Sequence, residues 1–346
     1  MAHRIALFNH KGGVSKTTTT FNLGWMLASR GARVVMVDAD PQCNLTGMVL
    51  GYKGASELEN LYTEHPDCNI KAALAPAFES QPKAIEGVDC VAVKGQANLF
   101  LLPGHVGLAE YEVTLGIAQE LSGSIQTLRN LPGSISWLLE QTAAVHNADY
   151  VLVDMSPGLG AINQNLLATS DYFIVPTSPD FFSVMAIGSL ATIIPQWQDW
   201  AKRAATNPVL RDAAYPFPRP ASKFLGAVIQ KFRPRNQRPS AAFQEWIDSI
   251  EQRISDTLVP ALATSGMLLG SEKHAQCGIE PNLVLSIIAD FNSLIAASHL
   301  HQTPVFALTA EQIDHVGVVL EGSESSRDSF AEAFEQFADR VACLTA

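Results

Sequence analysis

The sequence predicts an α/β protein built on a mostly parallel, doubly wound sheet with helices covering both faces. Three observations carry this expectation. Short, wholly apolar stretches of strand length alternate with longer stretches of helical period, the pattern of strands buried on both sides. A turn rich in glycine and lysine joins the first strand to the first helix. Two later strands end on aspartate, so the polar groups able to do chemistry gather at the carboxyl ends of the strands, where open sheets bind ligands.

Taken in order, Ile5–Phe8 reads as a buried strand and a helix runs from about Thr17 to Ser29, ended by Gly31. Val34–Val37 is the second strand, closing at Asp38-Ala39-Asp40-Pro41. Leu99–Leu102 is a short strand stopped by Pro103-Gly104, with a helix continuing through Glu120. Helical period recurs over Ser134–Val145, and Tyr150–Val153 is a strand terminated by Asp154. A helix near Gln164–Thr169, a strand at Tyr172–Val175, a helix near Ser183–Trp200 and a strand at Phe224–Gln230 continue the alternation. One helix is expected from Ala241 to about Ser265 and another over Pro281–Ala297, with Val305–Phe306 a short element. Segments near 51–96 and 204–222 look inserted, the second carrying Pro208, Pro216, Pro218 and Pro220. No clean boundary interrupts the pattern, so residues 1–346 are expected to form one elaborated domain.

With 346 residues and 47% hydrophobic composition, the chain can bury a large core. No apolar run reaches the roughly 18 residues of a membrane helix, and the N-terminus enters a strand directly, without a signal-peptide pattern. The five cysteines, Cys43, Cys68, Cys90, Cys277 and Cys343, contain no C-x-x-C pair. A reduced, cytoplasmic protein without a cysteine-built metal site is therefore expected. Net charge is −11, yet Lys202–Arg253 holds ten basic and four acidic residues, a local +6 against −17 elsewhere. An acidic body with one basic face is the expected footprint of a polyanion-binding protein.

The most informative stretch is Asn9-His10-Lys11-Gly12-Gly13-Val14-Ser15-Lys16-Thr17-Thr18. Between a strand and a helix, it reads as a phosphate-binding loop. Its glycines let successive N–H groups converge on phosphate oxygens, Lys16 neutralises the β- and γ-phosphates, and the Thr17 hydroxyl holds Mg²⁺. The ordinary G-x-x-x-x-G-K-[ST] pattern does not fit, because Ser15 stands where its second glycine would be. Lys11, five residues before Lys16, is superfluous to phosphate cradling and makes the motif specific. Asp38 and Asp40 beside such a loop suit water positioning and Mg²⁺ contact. Asp154 suits a Mg²⁺ anchor, followed by Ser156-Pro157-Gly158-Leu159-Gly160, a loop able to move with the γ-phosphate. Each aspartate alone is equally well a helix cap; their order, each after an apolar strand, joins them into one site.

With these elements the chain resembles the ParA/MinD group of deviant-Walker P-loop NTPases, and ParA-type partition ATPases in particular. The resemblance rests on Lys11–Thr18, Asp38–Gln42, Asp154–Gly160 and Asn165–Pro176, and extends to Leu101–Glu112 (L-L-P-G…L-A-E-Y-E) and Ala289–Leu308. It departs from the group at Ser15, where glycine is usual, at His10 for a common glutamine, and at Met155-Ser156 for Cys-Pro. The resemblance implies slow hydrolysis of ATP with Mg²⁺. Lys11 would reach the partner subunit's ATP in a homodimer formed with ATP, delivering a cation in trans as an arginine finger does. Lys11, Lys16 and Asp40 would be catalytic, with Asp40 positioning the attacking water. Gly12, Gly13, Val14, Ser15, Lys16, Thr17 and Thr18 would cradle the phosphates, and Thr17, Asp38, Asp40 and Asp154 would serve the metal. For the adenine, the group's pattern points to the region Lys231–Pro234 and the loop near Pro281.

The resemblance further implies non-specific DNA binding by the ATP dimer and a stimulating partner protein, the system segregating DNA or positioning cargo. Lys202, Arg203, Lys231, Arg233, Arg235 and Arg238 are the candidate phosphate contacts, and DNA binding would make the protein nucleoid-associated. The alternative is an ATP-binding regulatory switch acting on a protein partner without DNA. A metabolic or electron-transfer relative is disfavoured by the absence of paired cysteines. The C-terminal stretch Asp328–Leu344 places Phe330, Phe334, Phe337 and Val341 at helical spacing, opposite Asp328, Glu332, Glu335 and Asp339. Anionic lipid would repel that polar face, so the stripe is expected to pack in the core, with no membrane partner.

Overall fold

The computed structural model describes residues 2–51, 54–121, 126–235 and 238–346. β1 (His3–Leu7) leads through the glycine loop to α1 (Lys16–Ser29), and β2 (Val34–Ala39) leads to α2 (Asn44–Leu50). The insert-like segment holds α3 (Ala55–Glu64), α4 (Ile70–Phe78) and the two-residue β3 (Val91–Ala92) before β4 (Leu99–Leu102). Next come α5 (Glu110–Glu120), α6 (Leu131–Val145), β5 (Tyr150–Met155), α7 (Ala161–Thr169), β6 (Tyr172–Thr177) and α8 (Phe181–Thr206). A one-turn α9 (Pro208–Arg211) precedes β7 (Lys223–Phe232), and β8 (Pro234–Arg235) pairs with β9 (Arg238–Pro239) as a small antiparallel ribbon. The chain closes with α10 (Ala241–Arg253), α11 (Val259–Thr264), α12 (Ser271–Gln276), β10 (Val284–Ala289), α13 (Leu294–His301), α14 (Ala310–Ile313) and α15 (Gly317–Thr345).

The main sheet has eight strands in the order β10-β7-β6-β1-β5-β2-β4-β3, all parallel except the β3–β4 pair. Its central strands are almost wholly buried, and apolar up to the aspartates near the carboxyl ends of β2 and β5, since helices cover both faces. Register does the work of assembly at the head of the sheet. Leu7 and Asp38 both pair with Asp154, so the phosphate loop and the two aspartate-bearing loops leave the sheet side by side. One hydrophobic cluster runs from Ile5 to Leu344 and takes in the apolar stripe of α15. Phe330, Phe334, Phe337 and Val341 are buried there, as the helical spacing predicted.

Three expectations need correction. Pro281–Ala297 is not a helix: Val284–Ala289 adds an edge strand beside β7, and α13 begins only at Leu294. The run Val284-Leu285-Ser286-Ile287-Ile288 combines β-branched residues with an open sheet edge, and that edge decides its conformation. The helix expected over 241–265 is interrupted by a π turn at Ile254–Leu258, just ahead of Pro260, whose missing N–H disturbs the regular ladder. The cysteines are not all reduced. The end of α12 lies against the last turn of α15, and Cys277 is bonded to Cys343, while Cys43, Cys68 and Cys90 are free.

Candidate nucleotide site

The loop after β1 is shaped by its own polar groups. The buried Asn9 side chain donates to the Pro176 carbonyl (2.9 Å) and accepts from the Lys11 N–H (3.0 Å), fixing the loop against β6. Gly13 and Ser15 both hold left-handed backbone, with φ of 74° and 62°. The second value explains why glycine suits this position: Ser15 occupies a conformation glycine enters freely and a side chain resists. Lys16 is buried, and its ammonium donates to the Asn9 carbonyl (3.0 Å) and more weakly to that of Lys11 (3.4 Å). Burial lowers its pKa, opposed by the neighbouring Asp154 and Asp40 carboxylates.

Around this cation the three aspartates differ in what they can offer. Asp38 is fully buried, and its Oδ2 accepts from both the N–H (2.8 Å) and the hydroxyl (2.6 Å) of Thr46. Burial raises its pKa to about 6 in spite of these bonds. Asp38 therefore shapes the loop after β2. Asp40 sits at the rim and accepts the Gln42 N–H (2.9 Å). Asp154 is wholly buried with neither carboxylate oxygen in a hydrogen bond among the described residues. Burial and then the Asp38 charge push its pKa well up, against the Thr17 hydroxyl and Lys16. A buried, unpartnered carboxylate beside a hydroxyl and an ammonium is an unfinished arrangement. Among the described residues no three His, Cys, Asp or Glu side chains close into a metal cage. A threonine hydroxyl and carboxylates beside a phosphate loop are hard oxygen donors that suit Mg²⁺, which keeps its waters and takes one or two protein ligands with substrate phosphates.

Lys11 does not point at this cluster. Its ammonium pairs with Asp180 (2.5 Å) and donates to Ser183 Oγ (2.9 Å) at the start of α8. Asp180 also caps that helix by accepting the Ser183 N–H (2.8 Å). Burial pulls the Asp180 carboxyl upward, but its bonds to Lys11 and Ser183 prevail and lower it. Burial and then the adjacent Lys16 lower the His10 pKa, and its Nδ1 has no partner among the described residues.

The loop opens onto a cavity of about 1090 Å³. Gly13–Thr18, Asp40 and Pro157 line it, together with Met48, Lys231, Ala296, His299 and Leu300. Lys231, one of the residues expected near the adenine, lines the cavity and donates to the Gly13 carbonyl (2.9 Å). Pro281 is not: it precedes β10 and so lies at the amino edge of the sheet, opposite the phosphate loop. The sequence missed α13 as a wall of the cavity. Reading 281–297 as one helix hid the strand whose carboxyl end delivers α13 to the head of the sheet. The tool for finding it was the β-branched run itself.

The basic segment is likewise not one face. The 26-residue α8 begins at the head of the sheet and spans about 39 Å. Lys202 and Arg203 at its far end therefore lie at the amino edge, where Lys202 bonds the Ser265 carbonyl and Lys223 the Gly266 carbonyl. Lys231 and Arg233 are exposed at the opposite, carboxyl edge. Arg235 and Arg238 face each other in the β8–β9 ribbon, and their side chains lie outside the described residues.

Phosphate loop, lysine pair and strand-end aspartates on a parallel sheet define the class as a P-loop ATPase of the ParA/MinD type. A family model described as an AAA domain matches residues 2–206, and the chain belongs to that family. The chain is similar to the chromosome partitioning protein ParA of Caulobacter vibrioides, 26% identical over 258 residues that cover 74% of this chain and 79% of ParA. It is 30% identical to the sporulation initiation inhibitor protein Soj of Bacillus subtilis over 194 residues, 56% of this chain and 65% of Soj. The fold is shared with pNOB8 ParA bound to nonspecific DNA, with a TM-score of 0.53 and 18% identity over 100% of this chain and 99% of that one. Among the described residues no helix is long and apolar enough to cross a membrane.

Proposed function

We propose that this chain is an ATP-driven switch that hydrolyses ATP slowly in the presence of Mg²⁺. The observation that carries the reading is the unpartnered Asp154 carboxylate, buried behind Lys16 and Thr17, which line a nucleotide-sized cavity. Mg²⁺, when bound, would screen the phosphates, with Thr17 and Asp154 as the residues to hold it. Lys16 holds the β- and γ-phosphates, the loop N–H groups orient them, and Asp40 positions water. Phosphoryl transfer depends mainly on such placement and charge. The Lys11–Asp180 pair keeps the extra lysine on its own subunit; exchange onto a second subunit's phosphates couples hydrolysis to an ATP-formed homodimer. Purified protein should hydrolyse ATP, and Lys11→Ala and Asp40→Ala should each abolish turnover. Near-normal hydrolysis by the Asp40 variant would overturn its role.

The switch serves DNA segregation or cargo positioning in the cytoplasm, through non-specific DNA binding and a stimulating partner protein. Similarity to ParA and Soj supports this, as does the basic run Lys231–Arg238, of which Lys231 and Arg233 are exposed at the carboxyl edge. Phosphate contacts are salt-sensitive, with a log–log slope near −0.9 for each phosphate neutralised. Charge reversal of Arg235 and Arg238 should weaken ATP-dependent gel-shift of random-sequence DNA and spare ATP binding. Unchanged DNA affinity would remove both residues from the interface. The second reading, a switch acting on a protein partner without DNA, is favoured by the division of the basic segment between two edges. A wild-type chain that binds ATP and never shifts DNA would establish it.

A further inference from the structure

Residues 156–160, between Asp154 and α7, are held from two sides. From within, Asn163 Nδ2 donates to the carbonyls of Ser156 (3.0 Å) and Gly158 (3.1 Å), and Ser156 Oγ donates back to Asn163 Oδ1 (3.3 Å). From outside, α5 grips the point where the loop enters α7. That helix begins after Gly160, which has no side chain to cap the free N–H groups. The Glu112 carboxylate supplies the cap instead, accepting the Ile162 N–H through its two oxygens at 3.3 and 3.4 Å. Two turns further on, Gln119 Nε2 donates to the Ala161 carbonyl (3.0 Å).

Residues 112, 116 and 119 share one helical face. Gly116 lies between the two gripping side chains, and a Cβ there would just touch Ala161. A Cβ on Gly160 would overlap Glu112 Oε1, so the loop and the carboxylate are fitted to each other. The grip is anchored on its other side by the insert-like segment. The Tyr111 hydroxyl donates to Glu79 (2.6 Å), its ring stacks on Phe78 at 4.2 Å between centroids, and Lys71 pairs with Glu110 (2.8 Å).

We propose that Glu112, with Gln119, is a positioning clasp that sets the loop 156–160 for hydrolysis, and that α4 of the insert holds the clasp in place. The proposal rests on the hydrolytic reading above. Neither side chain lines the nucleotide cavity, so the clasp acts through the loop that follows Asp154. An anionic cap at the α7 N-terminus is favourable electrostatically and keeps the loop's exit at one register. Without it, the loop pays for order that the chemistry needs only in the transition state.

The test compares wild type with Glu112→Ala, Glu112→Gln and Tyr111→Phe in the full chain. Readouts are Mg·ATP hydrolysis and amide hydrogen exchange of a peptide spanning residues 155–165. Glu112→Ala should lower kcat by about tenfold, the scale of one charge-assisted bond, with KM within about twofold. Exchange at 156–162 should rise in the same variant. Glu112→Gln, whose amide oxygen still accepts the Ile162 N–H, should recover most of the rate. Tyr111→Phe, which keeps the ring stack and loses the bond to Glu79, should give the same signature more weakly and serves if the alanine variant fails to fold. Unchanged exchange at 156–162, or equal rates in the alanine and glutamine variants, would overturn the clasp. Absence of hydrolysis in the wild type would overturn the parent reading alone, leaving exchange to decide the clasp.

Discussion

Replacing Asp154 by asparagine should stabilise the nucleotide-free protein while removing its response to magnesium. The Asp154 carboxylate has no exposed area and no hydrogen bond among the described residues, and it feels the charge of a second buried carboxylate at Asp38. A buried polar group without a partner costs about 1–3 kcal/mol, and more when charged. An amide of nearly the same shape removes the repulsion from Asp38 but still needs partners, so a net gain of about 1–2 kcal/mol is expected. For 346 residues the unfolding entropy near the midpoint is roughly 0.7 kcal/mol per kelvin, so each kcal/mol moves Tm by about 1.4 °C. The nucleotide-free variant should therefore melt about 1.5–3 °C above wild type. Scanning calorimetry with ATP, with and without Mg²⁺, supplies the second half. Wild type should gain about 2.7 kcal/mol at a hundredfold excess of Mg·ATP over Kd, and the variant should lose the magnesium-dependent share. A nucleotide-free variant that melts below wild type would show that Asp154 is structurally paired, and the assignment of the site would fall with it.

Asp38 makes stability depend on pH. Below about pH 4 the carboxyl is protonated in both states and carries no penalty; between pH 4 and 6 the unfolded chain ionises first. Above pH 6 the full penalty applies, about two pH units or 3 kcal/mol, so denaturant midpoints should rise as pH falls from 7 to 5 and the rise should shrink in Asp38→Asn. Reducing the Cys277–Cys343 bond, which spans 66 residues, should cost up to about 4 kcal/mol, read as a drop in Tm on adding a dithiol that Cys343→Ser no longer shows. Asp180→Asn should keep the cap on Ser183 and lose only the ion pair with Lys11, so stability should change by less than about 1 kcal/mol. ATP-dependent dimerisation measured by sedimentation should then become easier; an unchanged dimer constant would show that the pair does not restrain Lys11.

What the sequence disclosed was local in origin. Lys11–Thr18, Asp38–Asp40 and Asp154 are each a strand end followed by a turn, and strand and turn are both written in a few adjacent residues. Their meeting needed only the parallel register that pairs Leu7 and Asp38 with Asp154. The errors fell where distant chain decides. Whether Val284–Ala289 is strand or helix depends on the open edge of β7, and the place of Pro281 and α13 follows from that one choice. The basic residues between 202 and 253 are near one another in sequence but are carried to opposite edges by the length of α8. The partner of Lys11 is 169 residues away, and the bond between Cys277 and Cys343 forms because α15 returns to α12.

Cost is distributed unevenly over the two ends of the sheet, and that asymmetry is itself an argument about function. At the amino edge charged groups have hydrogen-bond partners: Arg4 bonds Asp171 and Ser136, and Asp149 accepts the Arg33 backbone N–H. At the carboxyl edge Ser15, Cys43 and Lys231 hold left-handed backbone around one cavity, beside an unpartnered Asp154 and an Asp38 that resists ionisation. The Cys43 thiol there is pushed up to about 12 by burial and the nearby Asp38, so it packs as a neutral group and adds no nucleophile. Strain and unmet polar groups persist in a fold only where surrounding structure enforces them. Here the enforcing structure is the register of β1, β5 and β2, and the groups it holds in tension are a cation, a hydroxyl and carboxylates. An anionic ligand carrying its own divalent cation relieves all of them at once, whereas a neutral ligand would relieve none.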